Sequence, residues 1–221
     1  MTRQGFAAAT MVVLAAGIAG AALASAEIST VMGSINVSAG EHRGDLSTVN
    51  GSIHVGENAV VGHAHSVNGS ATLEAHATAA EVKTVNGSVR LNEGAEVNGR
   101  VQTVNGALSL AKGAAVTGAL ENVNGSIRVN AAHVGGDVET VTGNIEIGPD
   151  AHVDGGVIVR ESHPSHFDSR KPQRIVIGPG SVVTGTLKFE RPVELYVSDR
   201  ATIGPVQGAT PIRFSGDRPP G

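Results

Sequence analysis

The chain has 221 residues, of which 30 are glycine, none is cysteine and 2% are aromatic, and its formal net charge is −4. The absence of cysteine excludes a disulfide framework and a lipid-modified cysteine, and the weak negative charge gives no basic footprint for nucleic acid. The scarcity of aromatic residues predicts a narrow core that is filled by Val, Ile, Leu and Ala.

The first 26 residues have the features of a bacterial secretory signal peptide. Arg3 precedes an apolar run over residues 7–23, and Ala24-Ser25-Ala26 forms an A-x-A cleavage site. The run is shorter than the roughly 20 residues that a membrane-spanning helix needs. We therefore expect a periplasmic or secreted mature protein with no membrane span after the signal peptide is removed.

The tripeptide Val-Asn-Gly occurs five times, beginning at Val49, Val67, Val85, Val104 and Val123, so that it recurs every 18 or 19 residues. Short alternating apolar stretches, broken by Gly and Asn, separate the copies, and a helical period is absent. A repeat of this length predicts stacked coils. The predicted fold over residues 27–206 is all-β, a single-stranded parallel β-helix with three sides and about nine coils of 18 or 19 residues.

A six-residue period lies inside the coil and predicts which side chains face the core. Val49, Val55 and Val61 are six residues apart, so three hexads make one turn with one inward side chain on each side. An extra residue in the longer coils can be absorbed at a corner. This interpretation predicts a buried core column of Val49, Val67, Val85, Val104, Val123 and Val141.

Asparagine and glycine also recur at the coil spacing. Stacked amides can hydrogen-bond along the rod and Asn tolerates a left-handed corner, whereas Gly suits a positive φ or a close backbone approach. A polar stripe that binds a ligand is the alternative reading of the asparagines. The predicted structural Asn column is Asn50, Asn68, Asn86, Asn105 and Asn124, and the predicted corner glycines are Gly33, Gly51, Gly69, Gly87, Gly106, Gly125 and Gly143.

The period is interrupted near the carboxyl end. Residues 161–174 lack apolar periodicity and predict a loop inserted into the solenoid, and residues 207–221 form a tail rich in Pro and Gly. Phe189, Tyr196 and Phe214 are expected to form a cap over the last coil, because an open terminal coil is an unpaired sheet edge. An end-to-end contact surface is the alternative.

The sequence contains no catalytic motif, and we expect no enzyme activity, no catalytic residue, no cofactor and no metal site. His63 and His65 lack an evident third ligand. His163, His166 and Asp168 in the predicted loop are the better-placed group, and whether they bind an ion is left open.

The units Thr48–Val55, Thr84–Leu91 and Asn122–Val129 resemble the adhesin-type β-solenoid domains of exported bacterial proteins of unknown function. Residues 175–187 resemble the bactofilins, which are polymer-forming β-helix proteins. These resemblances imply a right-handed parallel β-helix without an active site. The hexads also resemble those of hexapeptide acyltransferases, but the mixture of 18- and 19-residue coils and the export signal speak against that activity.

We therefore expect an exported, non-enzymatic solenoid with a structural or interaction role at the bacterial cell envelope. The alternatives are a polymer-forming scaffold and a binding module for surface glycans or envelope polymers. Expected partners are further copies of the chain or components of the envelope, and nucleic acid is not expected.

Overall fold

The computed structural model describes residues 26–161 and 172–220, and all regular secondary structure in these ranges is β-strand. Residues 1–25 of the predicted signal peptide and residues 162–171 of the predicted loop lie outside the described residues.

Each coil from the second to the ninth contributes one strand to each of three stacks, and all pairings within the stacks are parallel. The first coil reaches the third stack only through the isolated bridge between His42 and Val60. The first stack comprises β1 (Ile28–Met32), β3 (Leu46–Asn50), the second halves of β5 (Val60–Asn68) and β7 (Thr78–Asn86), β10 (Val101–Asn105), β13 (Leu120–Asn124), β16 (Val138–Thr140), β19 (Val157–Val159), β22 (Leu187–Phe189) and β25 (Val206–Gln207).

The second stack is a separate sheet of ten strands. It comprises β2 (Ile35–Val37), β4 (Ile53–Val55), β6 (Ala71–Leu73), β8 (Val89–Leu91), β11 (Leu108–Leu110), β14 (Ile127–Val129), β17 (Ile145–Ile147), β20 (Gln173–Ile177), β23 (Val193–Ser198) and β26 (Ile212–Phe214).

The third stack joins the first into one sheet, because β5 and β7 run through the corner between them. It comprises the first halves of β5 and β7, β9 (Glu96–Val97), β12 (Ala115–Val116), β15 (His133–Val134), β18 (His152–Val153), β21 (Val182–Val183) and β24 (Thr202–Ile203). The three stacks give nine coils, and β25 with β26 begins a tenth, so the predicted all-β solenoid of about nine coils is confirmed.

Each coil from the second to the eighth buries two side chains per stack. The third stack has alanine at its first inward position in six successive coils, which keeps this corner of the core narrow: Ala59, Ala77, Ala95, Ala114, Ala132 and Ala151. In the second coil the six inward residues are Leu46 and Thr48, Ile53 and Val55, and Ala59 and Val61.

The predicted core column of Val49, Val67, Val85, Val104, Val123 and Val141 is wrong. Val49 and Val123 are 39% and 38% exposed, and the other four are half-buried at the surface. Alternation along β3 buries Leu46 and Thr48, so the next residue must point outward. The column that is buried on this side consists of the residues that precede the valines, namely Thr48, Ser66, Thr84, Thr103, Asn122 and Thr140.

The extra residue of a longer coil is accommodated at a corner. Two residues separate the inward Ala79 from the inward Val82, and β7 runs through without a break. Three residues, among them Gly99, separate Val97 from Val101, and the chain there divides into β9 and β10. In this coil the corner between the third and first stacks therefore absorbs the added residue while the registers on both sides are kept.

The tail continues the solenoid instead of forming a separate segment. Strand β26 pairs with β23, and Phe214 and Phe189 are both buried at this end. Arg200 forms an ion pair of 2.8 Å with Asp217, which lies beyond β26. Tyr196 does not join the two phenylalanines, because it lies on the outer face with the guanidinium of Arg174 4.7 Å from its ring centroid.

The outward orientation of the valine side chains can be tested with a matched pair of substitutions. Val101→Asp should lower the free energy of unfolding by more than about 3 kcal/mol, because Val101 is fully buried between Val82 and Leu120 and the carboxylate would have no partner. Val104→Asp, on the same strand, should cost less than about 1 kcal/mol because its side chain reaches water. Urea unfolding followed by circular dichroism measures both, and equal losses would contradict the assigned sides.

Candidate interaction surfaces

Most of the residues that precede the outward valines form a hydrogen bond to the previous coil on the inside of the rod. The hydroxyl of Ser66 donates to the carbonyl oxygen of Gly51 at 2.8 Å. The hydroxyls of Thr84 and Thr103 both lie 2.8 Å from the carbonyl oxygen of Gly87. In these coils a small hydroxyl at the buried position satisfies a carbonyl that faces the core, whereas the buried hydroxyl of Thr140 has no partner among the described residues.

The corner glycines are required by a close approach between coils. A Cβ atom at Gly51, Gly69, Gly87, Gly106, Gly125 or Gly143 would overlap the carbonyl oxygen of the corner glycine one coil earlier. A positive φ occurs in this column only at Gly33 (113°) and Gly125 (134°). Steric contact with the preceding coil, more than backbone conformation, therefore excludes other residue types here.

The asparagine side chains form a continuous ladder on the outside of the same corner. The Nδ2 atom of Asn68 donates to Oδ1 of Asn50 at 3.0 Å, and Asn86 donates to Asn68 at 2.9 Å. Asn105 and Asn124 continue the ladder with distances of 2.9 and 3.0 Å. Each inner amide thus uses a donor and an acceptor within the rod.

A serine ladder runs beside the asparagines, and the sequence analysis missed it. The Oγ atom of Ser52 accepts the backbone N–H of Ser70 at 3.2 Å, and Ser70 accepts that of Ser88 at 3.1 Å. The signal was present, since serine follows the corner glycine in most coils. Its interpretation required knowing that the side chain turns toward the next coil.

The outward valines form an apolar surface along the rod, which we term the valine stripe. It consists of one valine in each of the first seven coils, namely Val31, Val49, Val67, Val85, Val104, Val123 and Val141. Exposure is greatest at the amino end, where Val31 is 67% exposed. At a strand spacing of about 4.8 Å, the stripe is roughly 30 Å long. Arg160 follows in the next coil, and its two hydrogen bonds to Glu139, at 2.6 and 2.7 Å, raise the pKa of Arg160.

A second surface is a recess of about 440 Å³ on the second stack, which we term the arginine recess. Arg128, Arg174 and Arg218 line it, and Glu146 is the acidic residue among its lining side chains. Arg128 lies 3.5 Å from Glu146, so two of the three guanidinium groups lack a carboxylate within the recess. The positive excess suits an anionic group.

The histidines predicted from the sequence do not form a ligand set among the described residues. His63 and His65 both point outward from β5. The backbone N–H and ring of His63 bond to Asp45, at 2.8 and 3.0 Å, and lower the pKa of that carboxyl. His163, His166 and Asp168 lie outside the described residues.

Comparison with known proteins gives no relative, since no family model, curated protein or solved structure matches the chain. In residues 26–161 and 172–220 there is no helix with the length and apolar character to cross a membrane.

The asparagine ladder can be tested at Asn86. Asn86→Ala should cost roughly 1–2 kcal/mol of stability because two hydrogen bonds are lost, one to Asn68 and one from Asn105. The matched control is Asn98→Ala. Asn98 is exposed and lies at the corner between the third and first stacks, so its loss should be close to neutral. Thermal melting of both variants measures the difference, and an equal effect would show that the ladder does not stabilise the rod.

Proposed function

We propose that the protein is an exported, non-enzymatic β-solenoid with a structural or interaction role at the bacterial cell envelope. The observation that carries this proposal is the valine stripe. The Asn and Ser side chains beside it are hydrogen-bonded from coil to coil, so they stabilise the rod. The valines leave apolar surface exposed along the same corner.

The shape supports a role that uses length. Nine coils at about 4.8 Å each give a rod on the order of 40 Å long. Stacked repeats present extended surfaces in which equivalent side chains recur at a fixed interval, and such surfaces are the usual binding sites of solenoid proteins. Export is supported by the apolar run and A-x-A site within residues 1–26.

The valine stripe favours a second copy of the chain as its occupant. Contiguous exposed apolar surface on a soluble protein marks an interaction site. Two stripes have the same period, so they can pack against each other about a twofold axis with every valine opposite its equivalents. The resulting pair of rods would bury the apolar corner and leave the charged faces in water.

A triple substitution tests this association. Val67→Ser, Val85→Ser and Val104→Ser together should convert a dimer into a monomer in light scattering, because they remove the middle of the stripe. The control carries His65→Ser, Lys83→Ser and Gln102→Ser, which lie on the same strands at the neighbouring outward positions. It should remain a dimer. A monomeric wild-type protein, or equal behaviour of both variants, would contradict the proposal, and filaments in electron micrographs would favour a polymer-forming scaffold.

The arginine recess supports a second candidate function, the binding of an anionic envelope polymer. Three arginines converge on one shallow recess, together with the hydrogen-bonding side chains of Ser126 and Asn144. Retention on immobilised polygalacturonate, with dextran as the neutral control, should fall when Arg128 and Arg174 are changed to Ser. Equal retention on both polymers would remove this candidate.

A further inference from the structure

Two histidines and one aspartate meet on the outer face of the third stack. His133 lies on β15, His152 lies on β18 in the next coil, and Asp154 follows β18. The Nε2 atom of His133 is 2.9 Å from Oδ2 of Asp154, and Nε2 of His152 is 2.9 Å from Oδ1. The three possible ligand atoms all lie within 4.8 Å of one another.

The backbone places these side chains without help from loops. His133 and His152 are register partners in adjacent parallel strands, and both donate backbone N–H bonds of 2.9 Å to the preceding coil. Asp154 is two residues beyond His152, so it points to the same side, and its N–H bonds to Val134 at 2.9 Å. All three positions are therefore held by coil-to-coil hydrogen bonds.

The cluster is not part of the repeat that stabilises the solenoid. Ala115 occupies the position of His133 one coil earlier, and Val182 occupies the position of His152 one coil later. The stack continues through both without imidazole or carboxylate. The two histidines and the aspartate are thus additions to the outer face, and the fold does not require them.

We propose that His133, His152 and Asp154 form a surface binding site for a divalent transition-metal ion of the zinc type. Two ligands of a tetrahedral zinc ion with bonds of about 2.0–2.2 Å are about 3.3–3.6 Å apart. The two nitrogen–oxygen separations of 2.9 Å and the upper limit of 4.8 Å for all three atoms bracket this spacing. Imidazole nitrogens select Zn²⁺, Cu²⁺ and Ni²⁺ over Mg²⁺ and Ca²⁺, which prefer oxygen ligands.

The electrostatics prepare the carboxylate for this role. Its hydrogen bond to His133 lowers the pKa of Asp154, and the nearby charge of His152 acts in the same direction. The Nε2 atoms of both imidazoles lie against this one carboxylate, so two nitrogen ligands and one oxygen ligand are gathered on the same face. All three side chains are about half exposed, which leaves a path for the ion and room for water or another ligand to complete the coordination.

The experiment is calorimetric titration of the purified protein with Zn²⁺ alone, combined with melting curves with and without the ion. We expect one Zn²⁺ per chain and a rise in melting temperature, because the ion links two successive coils. His133→Ala, His152→Ala and Asp154→Asn should each weaken binding about tenfold or more, since a stable zinc site needs three or four ligands. Circular dichroism should show unchanged strand content, because all three side chains are exposed.

Two controls separate this site from other histidines. His63→Ala removes the imidazole of another outward His–Asp pair, and the double variant His163→Ala, His166→Ala removes the sequence-predicted group. Both should bind Zn²⁺ as the parent protein does. The proposal is overturned if the parent shows no saturable binding, if His133→Ala and His152→Ala bind normally, or if binding is lost in the His163, His166 variant instead. None of these results depends on whether the valine stripe associates.

Discussion

The architecture depends on one contact, the approach of each corner glycine to the carbonyl group of the glycine one coil earlier. No Cβ atom fits between them, so glycine at this corner allows the parallel pairing that keeps residues 18 or 19 positions apart in register. That register places each Asn amide within 3.0 Å of the next and sets the inward hydroxyls against the glycine carbonyls. The four residues Thr-Val-Asn-Gly thus have four separate physical roles: an inner hydrogen bond, an outer apolar surface, an outer ladder and a steric gap.

The fold could be predicted because the coil period is a property of the chain alone. Equal spacing of Val-Asn-Gly requires equivalent positions to stack, and stacked short strands that all run in one direction must be parallel. The coil period alone does not show whether the valine side chains face the core or the surface. Leu46 and Val49 are both apolar but have opposite parity on one strand, so a one-residue error exchanges core and surface. The column of buried Ser and Thr residues that begins at Thr48 distinguishes the two orientations, because a buried hydroxyl needs a carbonyl oxygen that faces the core.

The surfaces differ in how far the sequence could have revealed them. The asparagine ladder follows from spacing, whereas the arginine recess needs Arg218 from a tail that folds back because β26 extends the second stack. The histidine cluster needs three facts together: a 19-residue coil between His133 and His152, outward parity at both, and the position of Asp154 two residues beyond His152 on the same side. Spacing supplies the first, but the other two depend on where each strand begins and ends.

The repeat also separates the positions that stabilise the rod from those that are free to vary. The outward side chains at the first position of the third-stack strands have no role in the coil-to-coil backbone bonds, so Ala115, His133, His152 and Val182 can follow one another in a single row. Side chains that bind a ligand can therefore occupy such rows without disrupting the stacking of the coils. The valine stripe is different, because it recurs in seven coils and yet is exposed or half-buried at the surface. An apolar feature that recurs in seven successive coils without filling the core is a property of the surface, and this is the ground for the proposed pairing with a second copy of the chain.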